Sequence, residues 1–555
     1  MQEIFKEIID RIRAGKNTNA EKLAAIIRKS NRGKKNNHNA KKYLLPYYLN
    51  NKDKFNLSQQ EEEQLLQILR VKPKRSASGV ATITVITKPW PCGGNCIYCP
   101  NDIRMPKSYL SDEPACQRAE RNYFDPYMQV TARLKALTEM GHNTDKVELI
   151  VLGGTFNDYE EEYQRWFVRE LFRALNEEAY IEKPEYKNYS NNLDELKEKA
   201  KPIQEKLNKQ EISYNEAHKQ YYTKDESWQT ATWEKVEKQQ NINENAKHRC
   251  VGLVFETRPQ AINNQTLTTM RRLGATKIQI GIQSLDKNKM DKSERSTANV
   301  KEAFELLRLF GFKIHAHFMV NLPGATPESD KADFEEFVTN PAYLPDEIKL
   351  YPCMLVESAR LNKIDWQAYD EETLVDVLVN DVENTPCFTR ISRMMRDISS
   401  KDITQGVKKT NLRQMVEEKV KNSQEIRARE IVMDTSNTKI FDDYKYQTSN
   451  TEEHFLQYIT DENKILGFLR LSLPKGDTAM IREVHVYGRV AKIGEEAQNA
   501  QHQGLGTKLI ETACDIAKKT GYKKIRVISA VGTRPYYQRR GFKKSGLYQE
   551  LLISS

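Results

Sequence analysis

Through the middle of the chain, short apolar, β-branched runs alternate with longer amphipathic stretches. The runs Ala81–Thr87, Glu148–Leu152, Val251–Phe255, Lys277–Ile282, Lys313–Val320 and Glu347–Tyr351 have strand length. Between them, Tyr127–Met140, Glu161–Ala179, Asn263–Leu273, Val300–Phe310 and Pro327–Val338 have helical periodicity. Six such βα units predict an α/β fold whose parallel sheet curls into a partial (βα)6 barrel, with chemistry at the C-terminal strand ends. Those ends carry a cysteine loop, Gly153-Gly154-Thr155, Glu256-Thr257-Arg258-Pro259, Gln283-Ser284 and Asn321-Leu322-Pro323-Gly324. Polar and glycine signals thus converge on one rim.

Between about Ile181 and Lys247 the rhythm breaks. This stretch is nearly all Lys, Glu, Asn and Gln, with apolar residues too thin for a core, and is expected to be an inserted helical excursion or a partly disordered loop. Trp228 and Trp233 are expected to pin it to the barrel rather than to bind a ligand. Residues 386–428 read as linker helices carrying Arg390, Arg393, Arg396, Lys401, Lys408, Lys409 and Arg413, with three arginines at i, i+3, i+6 sharing one side. From Arg429 the pattern turns to strands: Glu430–Met433, His454–Thr460, Ile465–Leu473 and Ile481–Tyr487. A glycine-containing turn, the helix Thr507–Lys519 and a strand Lys524–Ser529 follow. The organisation expected is therefore a basic N-terminal helical region 1–75, a barrel 76–385 with the insertion 181–247, a basic linker 386–428 and a second α/β domain 429–555.

At 555 residues, with 38% hydrophobic and 30% charged residues, the chain has material for several cores, which argues against a single small module and against general disorder. No run approaches the roughly 20 apolar residues of a membrane span, and the opening MQEIFKEIID places charges where a signal peptide is apolar, so a cytoplasmic location is expected and no membrane partner. Net charge becomes informative once located. Residues 1–80 hold 18 Lys+Arg against 8 Asp+Glu, which accounts for the whole surplus of +10. Lys29, Arg32, Lys34 and Lys35, followed by Tyr43, Tyr47 and Tyr48, suit phosphate neutralisation and base stacking on RNA; a solvated, disordered arm is the bland alternative. Lys72, Lys74 and Arg75 extend the same surface, and Arg393, Arg396, Lys408 and Lys409 add to it from the linker.

Five of the eight cysteines are scattered singly, but Cys92, Cys96 and Cys99 form a C-x3-C-x2-C loop after the first strand. Three thiolates on one loop can hold three irons of a cubane cluster and leave the fourth iron an open position, which means chemistry. A zinc site that borrows Cys116 is the competing assignment. Near the C-terminus, Gln501-His502-Gln503-Gly504-Leu505-Gly506 leads into a helix, where backbone N–H groups and the helix N-terminus can meet a pyrophosphate.

The order Q-x-x-G-x-G, helix, strand, then Tyr536-Tyr537-Gln538-Arg539-Arg540-Gly541-Phe542 resembles GNAT acetyltransferases, and the cysteine barrel looks like a radical S-adenosylmethionine enzyme. Together, with strings such as Phe124-Asp125-Pro126-Tyr127, Gly153-Gly154-Thr155-Phe156, Glu256-Thr257-Arg258-Pro259, Lys349-Leu350-Tyr351-Pro352 and Glu483-Val484-His485-Val486-Tyr487-Gly488, they resemble the family of the catalytic third subunit of Elongator, tRNA wobble-uridine modifying enzymes with archaeal and bacterial members. The resemblance implies cleavage of S-adenosylmethionine at a 4Fe-4S cluster, hydrogen abstraction from the acetyl methyl of acetyl-CoA, addition to C5 of uridine, then oxidation and thioester hydrolysis to 5-carboxymethyluridine. It implies Cys92, Cys96 and Cys99 as cluster ligands. Gly153, Gly154, Thr155 and Gln283 would hold S-adenosylmethionine, and Gln501, Gly504, Leu505 and Gly506 acetyl-CoA. Lys349 would face the barrel interior near the substrate, and Tyr536 or Tyr537 would act as acid at the thioester. tRNA and acetyl-CoA are the implied partners, a homodimer stays open, and a prokaryotic type would need no other Elongator subunit.

Some positions depart from the family. Asn101-Asp102 stands where glycines are usual, Val320-Asn321 replaces Pro-Gly, Ser296-Thr297 replaces Gly-His, and Gln424-Glu425-Ile426-Arg427 lacks the cysteines of an additional zinc motif. Two other functions compete: a protein lysine acetyltransferase with a structural iron–sulfur domain, and a non-catalytic tRNA-binding scaffold.

Overall fold

The computed structural model describes residues 1–32, 40–69, 79–177, 193–222, 228–431, 439–487 and 504–553. At the N-terminus the helices Gln2–Arg13, Ala20–Asn31, Lys41–Leu49 and Gln59–Leu69 share a core of Ile4, Phe5, Ile8, Leu23, Ile26, Leu44, Leu45, Tyr48, Leu65 and Leu69. Among the described residues this is a packed unit, not the solvated arm considered above. Tyr47 and Tyr48 stack on Phe5 at 5.6 and 6.1 Å, which takes them out of base stacking, whereas Tyr43 stays 46% exposed.

The central sheet is β1 (Ala81–Ile86), β2 (Lys146–Leu152), β3 (Arg249–Thr257), β4 (Lys277–Gln283), β5 (Lys313–Val320), β6 (Glu347–Pro352) and β7 (Arg390–Arg393), parallel throughout and in sequential order. It curls into a half-barrel. The six expected strands are present and a seventh joins them, so the reading of 386–428 as linker helices is corrected at Arg390–Arg393. That segment pairs with β6, and only Leu412–Lys419 and Ile426–Arg429 of the stretch are helical. Arginines at i and i+3 therefore do not share a helix face: Arg390 turns to Glu430 at 2.6 Å, while Arg393 lines the cavity described below. Outward residues such as Ile278, Ile280, Ile314, Phe318, Ile348 and Leu350 pack under the surrounding helices. Their inward neighbours are charged. Lys277 bridges Glu148 and Glu347 at 2.7 and 3.3 Å, and Lys313 reaches Glu347 at 2.9 Å.

The stretch from 181 to 247 is helical over Leu193–Asn208, Tyr214–Tyr221 and Trp233–Asn243; residues 181–192 and 223–227 lie outside the described residues. Contrary to the expectation of too few apolar residues, Ala200, Leu207 and Ala217 build a small core with Ile103. Trp228 meets Trp166 edge-on at 5.5 Å, and Arg272 lies 4.1 Å over the Trp233 ring, so both tryptophans pin the segment to the barrel.

The second sheet comprises β8 (Ile440–Gln447), β9 (Thr451–Ile459), β10 (Ile465–Pro474), β11 (Thr478–Val486), β12 (Lys524–Val527), β13 (Lys543–Ser545) and β14 (Tyr548–Leu552), in the order β8-β9-β10-β11-β12-β14-β13. All its pairs are antiparallel except β11 with β12. At the expected strand Glu430–Met433, Glu430 makes one isolated bridge to Ile465, and residues 432–438 lie outside the described residues. The helix Leu505–Lys519 covers the sheet through Leu509, Ile510, Ala513 and Ala517.

This domain docks on the N-terminal ends of the barrel strands. Arg482 grips Asp346, just before β6, at 2.7 and 2.8 Å and Glu453 at 3.0 Å; Arg470 joins Asp346 to Glu483, and Lys313 meets Glu483 at 2.6 Å. Burying so many charges is tolerable because each is paired, and the pairing specifies how the two units meet. Among the described residues, no helix is long and apolar enough to cross a membrane.

Candidate functional site

At the opposite, C-terminal end of the barrel strands lies a cavity of about 600 Å³, where the rim signals after the first four strands meet, whereas Asn321–Gly324 does not line it. Its lining includes Cys92, Cys96, Cys99, Gly154, Thr155, Gln283 and Lys349. The loop after β1 presents the three thiols. A Cβ at Gly94 would sit within 4 Å of both the Cys92 and the Cys96 sulfur, so the glycine keeps open the space between them. A hydrogen bond with Cys99 and then the Arg295 guanidinium, whose Nη1 is 3.4 Å from the Cys96 sulfur, lower the Cys96 thiol, while the same hydrogen bond and burial push Cys99 up. Lys107 fixes the loop by donating to the Gly94 carbonyl at 2.8 Å.

This donor set fits a cluster with one cysteine per iron. Among the described residues no three His, Cys, Asp or Glu side chains converge on a single metal ion, whereas a structural zinc needs four donors around one point. Cys116, the fourth ligand a zinc site would borrow, is fully buried among Ile86, Met105, Tyr109 and Ala119, where burial pushes its thiol up.

Gly153 and Gly154 follow β2 at φ +136° and +95°. A Cβ on Gly153 would come 1.9 Å from Thr87 Oγ1, so only glycine lets the turn lie against the first strand. Both amides donate to Glu256 Oε2, at 3.3 and 3.2 Å, and Tyr109 Oη donates to the same oxygen at 2.6 Å. Gln283 ends β4 at φ +74° and is steadied through Ser284 and Leu285, which donate to Asp333, itself 3.1 Å from the buried Lys289. Lys349 points inward and donates to Gln279 Oε1 at 2.7 Å; burial lowers its amine to about 8. Burial also pushes the neighbouring His315 and His317 well below the usual imidazole range.

Glu256, Arg295, Tyr109 and Lys107 were not among the site residues expected from sequence. They stand singly, and only Glu256, at a strand end, carried any signal. Of the departures noted above, Asn321 adopts φ +60° and so supplies the left-handed backbone a glycine would, and Asp102 caps its loop by accepting from Arg104 and Ser111 N–H.

In the second domain Gly504, at φ +72°, opens the helix Leu505–Lys519. β11 and β12 pair only as far as Ile481 and Val527 and then part; beyond the gap the turn Val531–Thr533 rests on the start of β3, where a Cβ on Gly532 would meet Cys250 N at 2.9 Å. The two tyrosines separate here. Tyr536 Oη reaches the glycine loop, within 2.8 Å of where a Gly506 Cβ would stand, under the Arg540 guanidinium at 3.6 Å from its ring. Tyr537 packs in the core with Leu509, Ile510 and Phe542, and burial drives its hydroxyl up.

The basic residues divide likewise. Arg393 and Arg396 line the cavity, Arg396 holding Glu113 at 3.0 Å; Lys408 and Lys409 lie on the exposed surface, and so do Lys29 and Arg32 on the N-terminal unit. Lys34, Lys35, Lys72, Lys74, Arg75 and Gln501 lie outside the described residues.

Residues 420–542 match the Acetyltransferase (GNAT) family and residues 345–422 the Radical_SAM C-terminal domain. The tRNA uridine(34) acetyltransferase of Methanocaldococcus infernus is 34% identical over 88% of this chain and 89% of its own length. That of Dehalococcoides mccartyi is 33% identical over 85% and 97%, and Elongator complex protein 3 of Homo sapiens 31% identical over 89% and 88%. The solved structure of archaeal Methanocaldococcus infernus Elp3 with residues 1–46 deleted superposes with a TM-score of 0.66 at 30% identity, covering 85% of this chain and 99% of that one. With a thiol-bearing half-barrel and an acetyltransferase domain in the same arrangement along the chain, this protein belongs to the family of the tRNA uridine(34) acetyltransferases and Elongator complex protein 3.

Proposed function

We propose that the chain is an acyltransferase that modifies the wobble uridine of tRNA, using acetyl-CoA and S-adenosylmethionine radical chemistry to form 5-carboxymethyluridine. The observation that carries this reading is the placement of a three-thiol cavity and an acetyltransferase domain at the two ends of one barrel, joined through buried ion pairs. A lysine acetyltransferase has no use for such a cavity, nor a scaffold for a glycine loop with a tyrosine hydroxyl at its mouth.

Cys92, Cys96 and Cys99 would hold a 4Fe-4S cluster, which when bound supplies the electron that cleaves S-adenosylmethionine. Gly153, Gly154 and Thr155 would receive the methionine end, the two glycine amides already oriented on Glu256, with Gln283 across the cavity. Gly504, Leu505 and Gly506, with Gln501 ahead of them, would bind the pyrophosphate of acetyl-CoA at the helix N-terminus. The gap between β11 and β12 opens at the N-terminal end of the barrel, so an acetyl end delivered there would reach the thiol cavity only through the barrel interior. Tyr536 would hold the proton for the departing thiolate at its Oη, leaving Tyr537 a packing role. Lys349 would take or release a proton at Nζ beside the cavity. tRNA would reach the cavity mouth past Arg393 and Arg396, gripped further out by Lys29, Arg32, Lys408 and Lys409.

The deciding experiment is CoA release from acetyl-CoA by anaerobically purified protein with and without tRNA. The expected outcome is slow release alone and faster release with tRNA. Rapid acetylation of peptides in the absence of RNA would establish the lysine acetyltransferase instead.

A further inference from the structure

The barrel supports much of the cysteine loop directly. Ile97 N–H donates to the Ser293 carbonyl at 3.3 Å, Leu361 N–H to the Ile97 carbonyl at 2.9 Å, and Arg295 reaches the Cys96 sulfur. Cys92 is held from elsewhere. Its N–H donates to Asn215 Oδ1 at 2.9 Å, and Asn215 Nδ2 donates back to the Cys92 carbonyl at 3.0 Å. A single amide side chain thus does for Cys92 what a neighbouring strand would do, satisfying both backbone groups at once.

Asn215 stands in the first turn of the helix Tyr214–Tyr221, whose start is set by the capping box of Ser213 and Glu216. The same helical pair reaches the loop's flanks. Gln204 donates to the Asn101 carbonyl at 2.7 Å and accepts from Ile103 N–H at 3.0 Å; Tyr222 Oη donates to the Ile103 carbonyl at 3.0 Å. Buried Tyr214 donates to the Met105 carbonyl at 2.6 Å, and His218 Nε2 is 3.2 Å from the Pro89 carbonyl. Positions 89, 92, 101, 103 and 105 bracket the three thiols, and the side chains that satisfy them come from the segment that breaks the βα rhythm.

We propose that the helical pair 193–222 is a buttress for the cluster loop, with Asn215 the positioning residue that sets Cys92 for ligation. The inference rests on the iron–sulfur reading above. Its physical basis is pre-organisation: a loop whose backbone is already paired loses little freedom when it closes on a cluster, and partners of metal ligands commonly change metal retention. The small core of Ile103, Ala200, Leu207 and Ala217 keeps the pair seated against the loop.

The test uses the full-length protein as Asn215→Ala and Asn215→Asp, the latter keeping an acceptor for Cys92 N–H but losing the donor. Cys96→Ala serves as the clusterless reference. Iron per chain after anaerobic reconstitution, the electron paramagnetic resonance spectrum of the reduced cluster and the loss of visible absorption in air are measured. Amide hydrogen exchange across residues 89–105 is followed in the metal-free protein. Asn215→Ala is expected to lose its cluster about tenfold faster, with an altered spectrum and faster exchange at Cys92, while Tm and acetyl-CoA affinity stay at wild-type values. Asn215→Asp should fall between. Wild-type cluster lifetime, spectrum and exchange in Asn215→Ala would overturn the buttress. Were that variant not to fold, Gln204→Ala decides by the same measurements. A wild-type protein that takes up no iron removes the iron–sulfur reading, and the exchange comparison in metal-free protein then decides the buttress alone, faster exchange supporting it and unchanged exchange overturning it.

Discussion

Tyr536 and Tyr537 are adjacent in sequence and their rings meet edge-on at 5.3 Å, but their hydroxyls part: one faces the glycine loop, the other is sunk among leucine, isoleucine and phenylalanine. Tyr536→Phe is therefore expected to lower tRNA-stimulated CoA release by about 10²-fold or more, while Tyr537→Phe leaves it within a few-fold, as stopped assays of CoA release will show. Lys349 makes a second prediction, in pH. Its amine is lowered from 10.5 to about 8 by burial, so between these values the unfolded chain binds the proton and the folded one does not. The stability cost of burying Lys349 is thus fully present below pH 8 and fades as pH rises toward 10.5. For the reaction the consequence is a rate of tRNA modification that rises through about pH 8 if the free amine acts, and a Lys349→Met variant without that inflection. An unchanged pH profile in the variant would assign the inflection to another group.

Between elements, the docking of the acetyltransferase sheet on the barrel depends on Asp346. Burial alone would raise its carboxyl, but Arg482 and Arg470 outweigh that and hold it well below the ordinary carboxylate range. Its contribution is accordingly present at neutral pH and lost only as pH falls below the usual carboxylate value near 3.8. Asp346→Asn leaves two buried guanidinium groups facing a neutral amide, and a loss of about 3–5 kcal/mol is expected in denaturant unfolding. The same elements show what periodicity conceals. The i, i+3, i+6 spacing of Arg390, Arg393 and Arg396 fits one side of a helix or turn, yet pairing with β6 makes Arg390–Arg393 a strand. β8, β13 and β14 went unread because their sequences, such as IFDDYKYQ, carry few of the apolar alternations by which a strand announces itself.

Across the whole molecule, the basic surplus that sequence locates in the first 80 residues belongs, as far as described, to a folded helical unit rather than to an arm. Deleting the segment would open its core, so the informative change is in charge alone. Replacing Arg28, Lys29 and Arg32, all exposed, with Gln should weaken tRNA binding and reduce the slope of log affinity against log salt by about 2 to 3. Unchanged affinity and slope would move the RNA contact to Arg393, Arg396 and the surface near Lys408.

Local pattern by itself determined that three thiols stand on one loop, that glycines follow the second strand and open the last long helix, and that strands and helices alternate. Those features depend on neighbours a few residues away, where spacing and backbone sterics are decisive. Only the tertiary structure decided which charges face inward and which partners they meet. Glu256 serves Gly153 from 103 residues away, and Arg295 approaches Cys96 across 199, separations over which no sequence period exists. The same holds for the insertion. Its polar composition describes its solvent face well, but Asn215, Gln204, Tyr214 and Tyr222 acquire meaning only because the fold sets them against unpaired backbone at the cysteine loop, and buried polar groups must be satisfied wherever the chain brings them.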